Sequence, residues 1–242
     1  MRPLIPIFLA GLTLGCTDAV RPRSVPSVIS AWSNLGAKLP SKEDVAFIRD
    51  RLPGSLTALR AGFAHQDEHV RMSSAFVAEE LGSEATSLAS YMIQRLQSEP
   101  IPIVRVYLAS ALAEVGHLDS VGVGRLEDCF RAEQNGQSKT EIAGALVRLC
   151  SAQDEPVAWQ WLLQSLEAFP PDPPEELGAR HDFWERRWSA AKHLRTIRGR
   201  EDAVLPLLKG LQANRKTPDF VVDQQVSGAI ADLESRARPS TD

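Results

Sequence analysis

The feature that most constrains this fold is a repeat of 34 residues in the middle of the chain. Val70-Arg71 recurs at this offset as Val104-Arg105. Other positions that recur at the same offset are Ala75, Ala109 and Ala143, Leu81 and Val115, and Gly82 and Gly116. A unit of this length cannot bury its own apolar face, so a fixed period predicts several units that stack on their neighbours.

Apolar residues within each unit follow the spacing i, i+4, i+7, i+8, i+11, which places them on one face of an α-helix. The stripes, two of which include a serine, are Val70, Ser74, Val77, Ala78 and Leu81; Val104, Leu108, Ala111, Leu112 and Val115; Ser138, Ile142, Ala145, Leu146 and Leu149; Ala190, Leu194 and Ile197; and Val222, Val226, Ala229, Ile230 and Leu233. Shorter apolar segments lie between them. The sequence therefore predicts an all-α chain, an α-solenoid of about five stacked antiparallel helix pairs over residues 41–236.

The order of residues within a unit is equally regular. A helix is followed by a turn with acidic residues, by Val-Arg, by alanines and then by Leu-Gly; residues 66–71 (QDEHVR) and Leu81-Gly82 carry this order best. It resembles the HEAT repeat, particularly the short bacterial variety related to phycobilisome-lyase repeats. Tetratricopeptide repeats share the period and remain an alternative, as do other helical arrays, although the first helices lack the Trp, Gly and Tyr positions of that family.

The N-terminus has the pattern of an export signal. Arg2 is followed by an apolar run from Leu4 to Leu14 and then by Gly15-Cys16. Such a run is too short to span a bilayer but suits a cleaved signal. The ending resembles a bacterial lipobox, which implies cleavage of residues 1–15 and acylation of Cys16. Thr17, where aspartate would favour retention, slightly favours the outer membrane. An ordinary secretion signal and an apolar segment packed on the domain are the alternatives.

Three further segments are expected to lie outside the helix pairs. Residues 16–40 are rich in proline and serine and read as a tether, with one short helix around Val28 to Leu35. Residues 169–178 hold four closely spaced prolines, which predict a stiff insertion between two helices. Residues 237–242 are expected to form a disordered tail.

One short motif suggests metal chemistry. His65, Glu68 and His69 form H-x-x-E-H, a zinc-peptidase signature in which two histidines on one helix bind the metal and the glutamate acts as general base. The repeat places this stretch at a turn between two helices, where the two histidines would not share a helical face. We therefore expect no metal and no other cofactor, and retain a metal-dependent hydrolase as an alternative function.

Residues 180–200 form the most unusual predicted surface. Seven arginines and lysines face only two acidic residues there, and two tryptophans lie one helical turn apart. Tryptophan and arginine are enriched where binding energy concentrates. The candidate partner-binding residues are Tyr107, Trp184, Arg187, Trp188 and Arg195. The same basic ridge could instead bind an anionic envelope polymer, or form a solvated arginine face beside a tryptophan core.

Two structural expectations follow from the repeat. Arg71, Arg105 and Lys139 recur in register and should pair with acidic residues of the adjacent turns, with Asp67 as the clearest acidic candidate for the first step. Cys129 and Cys150 fall at opposite ends of an antiparallel pair, too far apart for a disulfide, and are expected to be free buried thiols.

The net charge of the chain bears on which class of partner it can bind. The formal net charge is −4, with 27 basic against 31 acidic residues, which argues against nucleic acid as the partner because phosphate contacts require surplus positive charge. The sequence predicts a lipid-anchored scaffold of the bacterial cell envelope, with its folded part in the periplasm, that binds a protein partner and has no catalytic residues.

Overall fold

The described part of the chain is entirely helical apart from its connecting turns. The computed structural model describes residues 23–36, 38–150, 156–167, 177–196, 201–213 and 220–237. Within these ranges no residue belongs to a β-strand. This confirms the all-α class predicted from the apolar spacing.

Twelve α-helices are present in the described ranges. They are α1 (Val25–Ala31), α2 (Lys42–Arg49), α3 (Gly54–Phe63), α4 (Glu68–Leu81), α5 (Ala89–Ser98), α6 (Pro102–Val115), α7 (Ser120–Ala132), α8 (Gly136–Leu149), α9 (Pro156–Glu167), α10 (Leu177–Thr196), α11 (Glu201–Ala213) and α12 (Phe220–Ala237). Short 3₁₀ segments, Trp32–Asn34 and Gly82–Leu88, follow α1 and α4.

Alternate helices lie side by side. The helices α4, α6, α8, α10 and α12 pack against one another in chain order and form one row. Contacts between α3 and α5, α5 and α7, and α9 and α11 bring the intervening helices together in the same way. Consecutive helices also pack in pairs, α3 on α4, α5 on α6, α7 on α8, α9 on α10 and α11 on α12, so the apolar stripes face a continuous core.

The repeated residues explain where the helices begin and end. Asp67, Asp119 and Asn135 precede α4, α7 and α8, and each side chain accepts a hydrogen bond from a backbone N–H of the first turn. Gly82 and Gly116 follow α4 and α6 with φ of +57° and +78°. Glycine reaches such angles without the steric cost of a Cβ atom, which is why it recurs at these helix ends.

Small residues bring the row together. Ala75, Ala109, Ala143 and Ala191 occupy equivalent positions on α4, α6, α8 and α10, and all four are fully buried. A methyl side chain lets the next helix approach closely, so this column sits where the helices of the row meet.

A ladder of ion pairs links successive units. Arg71 donates to both carboxylate oxygens of Glu99, at 2.8 and 2.9 Å, and Arg105 does the same to Glu133. Each arginine also donates to two carbonyl groups of the turn before its own helix. In both steps the acid lies 28 residues after the arginine, at the end of the next unit's first helix.

The expected partner of Arg71 was wrong. Asp67 caps α4 by accepting a hydrogen bond from the backbone N–H of His69, whereas Glu99 binds the Arg71 guanidinium. Burial alone would raise the pKa of Glu99, but hydrogen bonds from Arg71, the Ile101 backbone and Arg95 outweigh it and lower that pKa. At the third step Lys139 donates instead to the Glu133 carbonyl, at 3.3 Å.

The segment before residue 40 departs from the tether prediction. Val28, Ile29 and Trp32 are buried in the core, and α1 packs on α3 and α4. Val28 and Ile29 lie on α1, which begins with a capping box at Ser24, and Trp32 begins the 3₁₀ segment that follows it, so this stretch belongs to the folded part. The predicted signal peptide 1–15, Cys16, most of the predicted insertion 169–178 and residues 238–242 lie outside the described residues.

The two cysteines of the folded part are free thiols. Cys129 is buried, and burial together with Asp128 and Glu133 raises its pKa to about 11. Cys150 is half-buried, whereas full burial is the expectation from the sequence. The reason is that Cys150 is the C-cap residue of α8 and does not lie inside the helix.

Candidate binding groove

A groove lies on the face of α4, α6, α8 and α10. Its volume is about 400 Å³, and every one of these four helices contributes to its lining. Lys192 on α10 lies 3.6 Å from Glu79 on α4, although α6 and α8 stand between these helices in the row. The row therefore bends strongly enough that its first and fourth helices meet across the groove.

Aromatic and aliphatic side chains form part of the wall. The rings of Phe76 and Tyr107 meet edge to face, with centroids 6.4 Å apart. Trp188 on α10 also lines the groove, and so does Ile103, which is 43% exposed. Aromatic residues are enriched at surfaces where proteins bind one another.

Polar residues of the groove connect its four helices. The Ser110 hydroxyl donates to Glu79 at 2.6 Å, and the Lys192 ammonium donates to the Ser110 oxygen at 2.8 Å. Lys192 also lies 3.6 Å from a carboxylate oxygen of Glu141. This network spans α4, α6, α8 and α10, so it holds the curvature of the row as well as shaping the groove.

A buried histidine contacts one carboxylate of this polar network. The Nε2 atom of His193 lies 2.8 Å from a carboxylate oxygen of Glu141, and both side chains are almost completely buried. A Cβ on Gly144 would fall about 2.1 Å from the imidazole ring, so only glycine allows His193 to lie this close to α8. Burial would raise the pKa of Glu141, but the charge and hydrogen bond of His193 and the charge of Lys192 lower it to about 2.

Two groups of the lining have raised pKa values, and burial is the main cause for both. Burial raises the pKa of Glu79, and the carboxylates of Glu141 and Glu114 raise it further, although Lys192 and Ser110 act in the opposite direction. Burial also raises the pKa of Tyr107, and Glu79, Glu185 and Glu141 add to that rise. Glu141 is the one carboxylate that adds to the rise at both positions.

The structure brings together some of the predicted partner-binding residues. Tyr107 and Trp188 both line the groove. Arg187 is 8% exposed and occupies the position four residues before Ala191, which is equivalent to Arg71 before Ala75. Arg195 pairs with Asp232 on α12 at 2.5 Å, outside the groove lining. Trp184 lies on α10, but its side chain is outside the described residues.

Sequence reasoning missed Glu79, Ser110, Glu141 and Lys192. For Ser110 and Lys192 the signal is the repeat itself, because the position directly after each alanine of the buried column holds, in order, Phe76, Ser110, Gly144 and Lys192. Residues that follow a buried helical position by one step lie about 100° around the helix. Three of these four residues line the groove, whereas Glu79 and Glu141 lie outside this column.

The described side chains of the basic ridge contact neighbouring helices. Lys192 faces Glu79 and Glu141, and Arg186 lies over the Trp161 ring on α9, 5.2 Å from its centroid. Of the seven basic residues counted there, Arg180, Arg198 and Arg200 have side chains outside the described residues.

The histidines of the H-x-x-E-H motif lie on different elements. His65 falls in the turn after α3, where its Nδ1 atom accepts a hydrogen bond from the Asp67 backbone, and His69 lies in the first turn of α4. Among the residues whose placement is described, no three His, Cys, Asp or Glu side chains form a group that could hold a metal ion. No described helix is long and apolar enough to cross a membrane.

No protein-family model matches the chain, and no curated protein or solved structure matches it significantly.

Proposed function

We propose that this protein is a HEAT-like α-solenoid that acts as a lipid-anchored scaffold of the bacterial cell envelope and binds a protein partner. The groove of about 400 Å³ between α4, α6, α8 and α10 is the observation that carries this proposal. Its wall combines an exposed aliphatic residue, aromatic rings and a few fixed polar groups, which is the usual composition of a protein-binding surface.

The packing of alternate helices supports the solenoid. The row of α4 to α12, the 34-residue spacing of Ala75, Ala109 and Ala143, and the arginine ladder are all relations between nearest neighbours, as expected of stacked repeats. In such arrays the inner face of the row offers many modest contacts, and no single reactive centre is required.

A bulky side chain at the groove should block partner binding. We expect Ile103→Trp to reduce recovery of the partner by about tenfold, because the added ring occupies the space that an interface anchor would fill. The measurement is quantitative mass spectrometry of proteins that copurify with the full-length chain from envelope fractions.

The matched control is Val157→Trp. Val157 is also an exposed aliphatic residue, 63% exposed, but it lies on α9 and outside the groove. This variant should recover the partner as the unchanged chain does. An equal loss of the partner in both variants would assign the effect to misfolding or to the added ring itself. Equal recovery of the partner in both variants would refute binding at the groove.

The anchor is tested by the intact mass of the protein from membrane fractions. We expect a mature chain that begins at Cys16 and carries the added mass of acyl groups, because the sequence before this cysteine resembles a lipobox. The control Cys16→Ala should lack the acyl mass and retain the signal segment. An unmodified chain that keeps Met1 would refute the lipid anchor without bearing on the groove.

A further inference from the structure

We propose that the groove receives a lysine or arginine side chain that the partner protein presents to it. The inference rests on the proposed function, because it names the chemistry of the segment that binds at this surface. Three observations lead to it: the charge of the lining, the placement of the aromatic rings and the arrangement of the one ammonium group already there.

Carboxylates dominate the charge of the groove. Glu79, Glu141 and Glu185 come from three different helices, and Lys192 is the one cationic residue of the described lining. Glu141 is already engaged by His193 at 2.8 Å, and Glu185 accepts from the Gln137 amide at 3.1 Å. A second cation would complement the excess of negative charge, whereas an acidic segment would be repelled.

Lys192 shows how a cation is accommodated in this groove. Its ammonium group lies 2.8 Å from the Ser110 hydroxyl, 3.6 Å from both Glu79 and Glu141, and 5.6 Å from the centre of the Trp188 ring. Carboxylates together with an aromatic face are the two groups that stabilise an ammonium or guanidinium ion.

Two further aromatic rings extend the same chemistry. Phe76 and Tyr107 line the groove together with Glu79, and Ile103 is exposed at the lining. Burial is the main cause that raises the pKa of Tyr107, and the charges of Glu79, Glu185 and Glu141 add to that rise. The walls thus fit the aliphatic stem of a long basic side chain, while its charged end meets the carboxylates.

The test uses a displayed library of short random peptides, selected on the full-length chain in detergent micelles. Parallel selections use Ile103→Trp, which blocks the groove without changing its charge, and the double variant Glu79→Gln with Glu185→Gln. Both glutamines keep hydrogen-bonding capacity while removing charge. The charge-matched control is Glu43→Gln with Glu68→Gln, since both of those glutamates are exposed and lie outside the groove.

We expect peptides that depend on Ile103 to be enriched in lysine and arginine flanked by apolar residues. The best of them should bind the Glu79→Gln, Glu185→Gln variant about tenfold more weakly, and the Glu43→Gln, Glu68→Gln variant as the unchanged chain. Its affinity should fall as salt is raised. Thermal melts of every variant verify that the fold is retained.

The outcomes separate the two proposals. Groove-dependent peptides that are neutral or acidic, or whose binding ignores the loss of Glu79 and Glu185, would overturn the basic side chain and leave the groove as a protein-binding surface. Selection of no peptide that depends on Ile103 would overturn both.

Discussion

Replacing Arg71 by alanine is expected to lower the free energy of unfolding by about 3–5 kcal/mol. The arginine is almost fully buried and holds both oxygens of Glu99, whose side chain has no exposed surface. Its removal leaves a buried carboxylate with only Arg95 and the Ile101 backbone as donors, and frees two carbonyl groups of the preceding turn. The measurement is urea unfolding at neutral pH.

The control for this prediction is Arg49→Ala. Arg49 pairs with Glu84 at 3.0 Å, but both side chains are nearly half exposed, so its loss should cost less than about 1 kcal/mol. The double variant Arg71→Ala with Glu99→Ala should cost less than the sum of the two single changes, because the second change removes the stranded charge. Additive losses would show that Arg71 and Glu99 do not act as a pair.

Replacing His193 by leucine is expected to destabilise the fold by a similar amount, about 3–5 kcal/mol at neutral pH. Leucine keeps much of the buried volume, but the fully buried Glu141 carboxylate then loses its closest partner and retains Lys192 at 3.6 Å. The second change Glu141→Gln should restore part of the loss, because it removes the buried charge.

The stability loss in His193→Leu should depend on pH. The pKa of Glu141 falls from 4.5 to about 2 in the folded state, so its contribution to stability is present above pH 4.5 and is lost as the pH falls toward 2. In His193→Leu the burial of Glu141 remains while its main compensation is gone, so its pKa rises. The stability difference between the two proteins should therefore shrink on acidification. A difference that is equal at pH 7 and pH 3 would contradict this role of His193.

The repeat was sufficient to predict the helices but not the curvature of their row. The apolar spacing placed helices near 70–81 and 104–115, and α4 and α6 occupy Glu68–Leu81 and Pro102–Val115. Small rotations between neighbouring helices accumulate along the row, and no single pair of residues encodes their sum. The meeting of Lys192 with Glu79 across two intervening helices was therefore beyond the reach of the sequence pattern.

The ladder shows a different limit. Asp67 was the expected acid because it is close to Arg71 in the sequence, whereas the actual partners, Glu99 and Glu133, recur at the same 34-residue spacing as their arginines. Glu167, the last residue of α9, continues that spacing. The period of the acidic residues therefore identifies the partners of the arginines, whereas closeness in the sequence does not.

Residues 23–36 show a third limit of prediction from the sequence. Prolines and serines around residues 17–40 suggested a tether, but composition averages over the few residues that matter. Val28, Ile29 and Trp32 form one apolar face, and Trp32 is 1% exposed against the neighbouring helices. One buried tryptophan offsets much of the entropy of ordering a short helix.

Site-specific photocrosslinking in intact cells can locate the surface that the partner contacts. A photoreactive amino acid is placed at Ile103 in the groove or, as the control, at Val157 on α9, and the adducts are separated by mass. We expect a discrete adduct with one protein from Ile103, absent from Val157 and reduced when Glu79 and Glu185 are changed to glutamine. An adduct from Val157 with none from Ile103 would contradict binding at the groove.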